Sequence, residues 1–160
     1  MIICEGFDNT GKSWLCGAIS KEFRLPLVKS YRPKAEYDIH QFNHWVNASP
    51  RAAVLDRHPA IADLIYGPIL RGETPSSSEL AQAARRNNYL VFCCPPIHSV
   101  IRSFGDRDQL EGVEENLQKL YQAYESLMES LEPDFIYDYT NPRAYRALIN
   151  NLQQAFGRIE

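Results

Sequence analysis

Residues 6–13 read Gly6-Phe7-Asp8-Asn9-Thr10-Gly11-Lys12-Ser13, and this G-x-x-x-x-G-K-S spacing constrains the fold more than any other feature of the chain. Glycines at both ends let the backbone wrap tightly, so that successive N–H groups point inward at phosphate oxygens. A helix starting near Lys12 adds its positive end to the same place. The Lys12 ammonium can then bridge β- and γ-phosphates, and the Ser13 hydroxyl can join the shell of a magnesium ion. Such a loop needs a buried strand before it and an amphipathic helix after it. Both flanks are present. Met1–Glu5 is an apolar run ended by a glycine, and Lys12–Phe23 carries Trp14, Leu15, Ala18, Ile19 and Phe23 at helical spacing. The expected ligands are ATP and Mg2+, with Gly6, Phe7, Asp8, Asn9, Thr10, Gly11, Lys12, Ser13 and Trp14 around the nucleotide.

The rest of the chain alternates. Leu27–Ser30, Ala52–Asp56, Tyr89–Cys94 and Phe135–Tyr137 are short apolar runs that read as buried strands. Between them, Tyr37–Asn47, the first half of Ile61–Leu70 (with Gly67-Pro68 interrupting the rest), the segment after Thr74–Ser78, and Ile97–Phe104 read as helices. Val113–Leu131 shows the clearest apolar stripe, and Pro142–Phe156 closes the chain as a helix with proline in its first turn. Continuously apolar strands separated by helices indicate a parallel sheet covered on both faces. The expected fold is α/β, a three-layer P-loop NTPase domain with about five strands. At 160 residues there is room for one such domain, spanning 1–160, and no repeat or linker divides it.

Composition sets further limits. A net charge of −3 gives no global attraction to nucleic acid or acidic membranes, though it leaves a local basic cleft open. No run approaches the ~18 apolar residues of a membrane span, and Glu5 and Asp8 interrupt the N-terminus before a signal-peptide core could form. Cys4, Cys16, Cys93 and Cys94 have neither CxxC nor zinc spacing, and read as reduced thiols of a cytoplasmic protein. His40, His44, His58 and His98 form no metal-binding pattern; His98 reads as a helix cap.

Several P-loop classes can be set aside. The Asn-Lys-x-Asp stretch that reads guanine in Ras-type GTPases does not occur, and no apolar run ends in the Asp-Glu of many motor ATPases. Instead Ala53-Val54-Leu55 leads into Asp56-Arg57-His58-Pro59. An aspartate at a strand C-terminus is placed to orient magnesium, and an arginine after it enters the crevice where ligands of such sheets bind. Its planar fork suits phosphate.

These residues resemble the thymidylate kinase family. The loop with an acidic third residue, Asp56-Arg57 followed by Tyr66-Gly67 and Arg71-Gly72, and Arg102 and Arg107 ahead of a long helix all match its pattern. The likeness runs from Met1 to the neighbourhood of Thr140. Asp-Arg-His-Pro at 56–59 and Arg-Asp-Gln-Leu-Glu-Gly-Val at 107–113 look more closely like the family's small bacteriophage branch. The resemblance implies that Lys12 binds the transferred phosphoryl group, while Ser13 and Asp56 serve magnesium. Asp8 would face the acceptor, holding or deprotonating a hydroxyl, or else would only fix the loop turn. Arg57 would grip an acceptor phosphate or the moving phosphoryl group, and Arg102 and Arg107 would stabilise charge from a lid over 102–112.

The acceptor side departs from that family. The usual Arg-Glu-Pro-Gly after the second strand is here Ser30-Tyr31-Arg32-Pro33-Lys34, and the chain is short for a member. A trimmed, basic edge could admit more than a free nucleotide. Some relatives in the phage branch phosphorylate the hydroxymethyl group of 5-hydroxymethyl-deoxyuridine within DNA, in thymidine hypermodification. The acceptor is thus divided, with a slight lean to that DNA over free dTMP, and a non-catalytic nucleotide-binding regulator is a third reading. The implied acceptor contacts are Tyr31, Arg32, Lys34, Arg57, His58, Tyr66 and Arg71. Lys29, Arg85 and Arg86 could add contacts to DNA phosphates, and Tyr31 or Tyr66 could stack on an extruded base. The oligomeric state is open, a homodimer included.

Overall fold

The structure is a computed structural model that describes residues 1–29, 52–74, 78–104 and 111–157. Strands β1 (Ile2–Glu5), β2 (Leu27–Lys29), β3 (Val54–Asp56), β4 (Tyr89–Cys93) and β5 (Phe135–Tyr137) form one sheet in the order β2-β3-β1-β4-β5. Every pairing is parallel. The described helices are α1 (Lys12–Glu22), α2 (Pro59–Tyr66), α3 (Ser78–Arg86), α4 (Ile97–Arg102), α5 (Leu117–Leu131) and α6 (Ala144–Phe156).

Alternation along the strands builds the layers. Ile2, Cys4, Val54, Val91 and Cys93 point to one face and pack against Leu15, Cys16 and Ile19 of α1 and Leu148 and Leu152 of α6. Ile3, Leu55, Leu90 and Phe92 point to the other and meet Ile61 and Ile65 of α2, Ala81 and Ala84 of α3, and Leu120, Tyr124 and Met128 of α5. Both faces are dry, which is why the strands show no polar alternation. The same parity continues past the apolar positions: Glu5 falls on the α2/α5 face and Asp56 on the α1 face. Both facts matter at the site. No described helix is long and apolar enough to cross a membrane.

Three local expectations change. The long helix starts at Leu117 instead of Val113. Gly112 adopts φ 80, and its carbonyl is taken by the Asn116 amide and side chain, so the preceding turn stays irregular. Gly67-Pro68 does not interrupt its helix; the chain continues after Tyr66 as a π-helical turn, Gly67–Arg71, whose wider path accommodates a proline that cannot donate to the preceding turn. The helix cap is His58 at α2, whose Nδ1 accepts from the Ala60 N–H, while α4 has no side-chain cap and His98 lies inside it. The described part of the basic rim also shifts. Arg85 binds the carbonyls of Leu131 and Glu132 and the carboxylate of Asp134, at the end of the sheet where β5 begins. It ties α3 to that turn, opposite the phosphate loop, and Arg86 ends the same helix there.

Candidate active site

The sheet order reverses about β1: β3 and β2 lie on one side of it, β4 and β5 on the other. Such a switch point opens a crevice at the strand C-termini, and the loop after β1 fills it. Gly6 has φ 145, and a Cβ there would lie 2.4 Å from the Cys93 carbonyl oxygen, so no other residue fits without moving β4. Gly11, at φ 78, caps α1 without any side-chain hydrogen bond, and no acidic residue occupies the first turn. The N–H groups there are left for an anion. Thr10 Oγ1 and Lys12 Nζ both donate to the Phe7 carbonyl, at 2.8 and 3.0 Å, which draws the loop into a ring. The Phe7 side chain anchors it, stacked on Phe104 and edge-on to Tyr121. The Asn9 Nδ2 atom is buried with no partner among the described residues, and a buried donor of this kind calls for an acceptor. A phosphate chain fits this cradle.

Lys12 is buried, and burial, then the nearby Arg57 charge, lower its pKa from the ordinary lysine value while Asp8 opposes the change. A phosphate beside it would restore the missing counter-charge. On the α1 face, the Ser13 hydroxyl donates to Asp56 Oδ2 at 2.7 Å. A hydroxyl and a carboxylate side by side are hard oxygen donors of the kind magnesium takes together with phosphate oxygens and water, so the donor set fits that ion.

The opposite wall is built on Asp8. Its two carboxylate oxygens accept from Arg57 Nη2 at 2.7 Å and from the Tyr66 hydroxyl at 2.6 Å. The Arg57 guanidinium also lies over the Tyr66 ring, 4.9 Å from its centroid. Burial pushes the Asp8 carboxyl up, but the Arg57 and Lys12 charges and the two hydrogen bonds outweigh it and hold the group below its usual range. Asp8 is therefore a fixed anion that orients donors, and a weak proton acceptor. Asp56 and Arg57 are neighbours, yet they face opposite walls, as consecutive residues at a strand end do, and Arg57, at φ 71, is where the chain leaves the strand path.

No protein-family model matches this sequence, and no curated protein matches it. Solved structures do. The YorR protein from Bacillus subtilis, in complex with phosphorylated GDP, aligns with a TM-score of 0.76 at 15% identity, covering 96% of each chain. Deoxyadenosine kinase from M. mycoides with bound dCTP gives 0.64 at 16% identity, covering 98% of this chain and 100% of that one. Shikimate kinase from Acinetobacter baumannii, in complex with shikimate, gives 0.61 at 13% identity over 96% and 91%. The fold is the P-loop kinase fold. Identities this low establish architecture, and the chemistry must be argued from the side chains.

On the P-loop kinase fold, the sequence-derived residues separate into groups. Gly6 through Ser13, Asp56, Arg57 and Tyr66 converge at the switch point. Trp14 stands on the outer side of α1, 62% exposed and edge-on to Tyr145. His58 is fully buried and its ring caps α2, so it is a structural cap and not an acceptor contact. Tyr66 cannot stack on an extruded base: one face lies under Arg57, Tyr124 packs edge-on, and the residue is 5% exposed. Arg71 is neutralised by Asp63 at 2.5 Å and by Glu73. Arg102 is exposed in the last turn of α4. Tyr31, Arg32, Lys34 and Arg107 lie outside the described residues, as do the expected helix Tyr37–Asn47 and most of the segment 102–112. Sequence reasoning missed Glu5, a fully buried carboxylate whose pKa burial raises to about 7. Its signal was present: a charge closing an apolar strand of a sheet buried on both faces.

Proposed function

We propose that the protein is an ATP-dependent phosphotransferase of the thymidylate kinase type, acting on a free thymidine-like deoxynucleotide. The observation that carries this reading is the division of the crevice into two walls. Lys12, Ser13 and Asp56 line the wall suited to a nucleoside triphosphate and its metal. Arg57, held by Asp8 and Tyr66, lines the wall suited to an acceptor.

The backbone of residues 6–13 holds the donor's phosphates, and Lys12 leaves the Phe7 carbonyl to pair with the outermost one. Magnesium, when bound, neutralises charge on the β- and γ-phosphates. Arg57 presents the acceptor group in line with the donor phosphorus, and Asp8 fixes the direction of that guanidinium. An acceptor oxygen then bonds to the γ-phosphorus as the bond to the β-bridging oxygen breaks, leaving ADP. Nothing in this step requires a strong base, which agrees with the depressed Asp8 pKa: phosphoryl transfer is served chiefly by position and charge. Arg102, exposed in the last turn of α4, and Arg107 stabilise the charge of the moving phosphoryl group.

The DNA reading rested on a basic rim. Among the described residues, that rim keeps Lys29, exposed at the end of β2, but loses Arg71 to two carboxylates and Arg85 and Arg86 to the far end of the sheet, and this favours the small acceptor. The test offers γ-labelled ATP and magnesium with dTMP, with other deoxynucleotides, and with DNA containing 5-hydroxymethyluracil. Label on dTMP supports the proposal. Label on DNA alone replaces it with the hypermodification kinase, and ATP binding without transfer to any acceptor replaces it with the regulator.

A further inference from the structure

The steps above leave one buried carboxylate without a task. Glu5 ends β1, immediately before the phosphate loop, on the face covered by α2 and α5. Its Oε1 accepts the His58 N–H at 2.5 Å, and its Oε2 lies 3.5 Å from the Tyr124 hydroxyl. Burying a carboxylate costs several kcal/mol unless hydrogen bonds compensate it, and an apolar side chain would complete this face of the core more cheaply. Its hydrogen-bond partners indicate why a carboxylate is there.

Arg57 is a non-glycine residue at φ 71, a conformation that costs about 1–3 kcal/mol and persists only when its surroundings impose it. Two consecutive residues of β1 impose it. The Cys4 carbonyl takes the Arg57 N–H at 3.0 Å, and the Glu5 carboxylate takes the next amide, that of His58. The backbone so pinned carries the side chain that reaches Asp8. The second Glu5 oxygen works from the side: Tyr124 packs edge-on against Tyr66, at 5.9 Å between centroids, and Tyr66 is the ring over which the guanidinium lies.

We propose that Glu5 is a positioning residue whose carboxylate fixes the Arg57 kink through the His58 amide and steadies the Tyr66 ring through Tyr124, thereby aiming the guanidinium at the acceptor. The inference rests on the reading that Arg57 binds the acceptor. It assigns Glu5 no contact with either substrate.

The experiment compares Glu5→Gln, which still offers an oxygen to the His58 amide, with Glu5→Met, which has similar length and offers none. Each is made alone and with Arg57→Ala, and folding is checked by circular dichroism. With dTMP as acceptor, Glu5→Met lowers kcat/KM for dTMP by about 10- to 100-fold, the scale of a small misplacement of a reacting group. The KM for ATP stays within about threefold of wild type, and Glu5→Gln stays within about threefold in both parameters. In the Arg57→Ala background, Glu5→Met changes kcat/KM by less than about twofold, because the residue it positions is gone. An equal loss in both backgrounds, or a rise in the ATP KM matching the loss, overturns the proposal. The second readout needs no turnover. Hydrogen exchange at the His58 amide is slow in wild type and Glu5→Gln and at least about tenfold faster in Glu5→Met, since its acceptor is lost. Equal protection in all three proteins overturns the positioning role even if no acceptor takes label, whereas faster exchange without labelling retains the geometry and rejects only the kinase reading.

Discussion

Glu5 and His58 give the protein a stability profile in which two opposed titrations cancel, and removing either one exposes the other. Burial raises the Glu5 pKa from 4.5 to about 7 and lowers that of His58 from 6.5 to about 4. Between pH 4.5 and 7 the folded state keeps Glu5 protonated while the unfolded chain ionises it. The folded state binds more protons, and stability falls as pH rises, by about 1.4 kcal/mol per pH unit and about 3 kcal/mol in all. Between pH 4 and 6.5 the unfolded chain protonates His58 while the folded state keeps it neutral, with Nδ1 accepting from Ala60. Stability then rises with pH at the same slope. Both side chains are fully buried, so solvent does not screen either contribution. In the shared window the two slopes offset each other. Urea midpoints of the metal-free protein, measured in a chelating buffer at constant ionic strength, read the result. Glu5→Gln gains about 3 kcal/mol of stability, relative to its own value at pH 4, by pH 6.5. His58→Asn, which can still cap α2, loses about 3 kcal/mol between pH 4.5 and 7. Differences from wild type remove the contributions of all other groups. If the Glu5→Gln and wild-type profiles run parallel, Glu5 titrates alike in the folded and unfolded chains and the reasoning fails.

Four further outcomes follow from the site. Lys12→Ala lowers turnover by at least about 10²–10³-fold, the loss seen when one donor to a developing charge is removed, with the far-UV circular dichroism unchanged; activity within about twofold of wild type removes its assigned role. Gly6→Ala destabilises the protein by at least about 1–3 kcal/mol from backbone strain, because its Cβ meets the Cys93 carbonyl at 2.4 Å, and an unchanged urea midpoint contradicts the loop geometry. Asp8→Asn retains ATP binding by calorimetry but raises the KM for dTMP, since a neutral amide holds Arg57 less firmly than a carboxylate does; a lost ATP affinity would instead assign Asp8 to the donor wall. Arg107→Ala reduces kcat by about 10³-fold, within the range of arginine-finger losses, and little changed turnover makes it a bystander.

The phosphate loop and the parallel strands of a doubly covered sheet are legible in the sequence because each follows from local spacing, whereas the strand order and the direct Ser13–Asp56 contact come from the fold. Glycines at 6 and 11 demand the turn whatever surrounds them, and an aspartate closing the third strand can face only one side of the sheet. The rim arginines were not legible for the opposite reason. Whether Arg71 is free to meet a ligand depends on Asp63, which a π-helical turn brings to it, and proline spacing alone suggests a break there. Arg85 looks like any exposed helix cation until the sheet shows at which end α3 stops. His58, beside Asp56-Arg57, and Tyr66, through the thymidylate kinase resemblance, look like ligand contacts in the sequence, and burial assigns them other work.

The Arg57 kink shows how the legible and illegible parts connect. Along a strand, the residue after Asp56 points to the α2/α5 face. Arg57 keeps to that side, over the Tyr66 ring of α2, and its left-handed backbone ends the strand just past Asp56. A sequence can announce that Asp-Arg stands at a strand end; only the fold reveals that a carboxylate from the neighbouring strand holds the backbone bent. The fixed aim of the Arg57 guanidinium at Asp8, and with it the proposed acceptor wall, depends on that bend as the phosphate loop depends on its glycines.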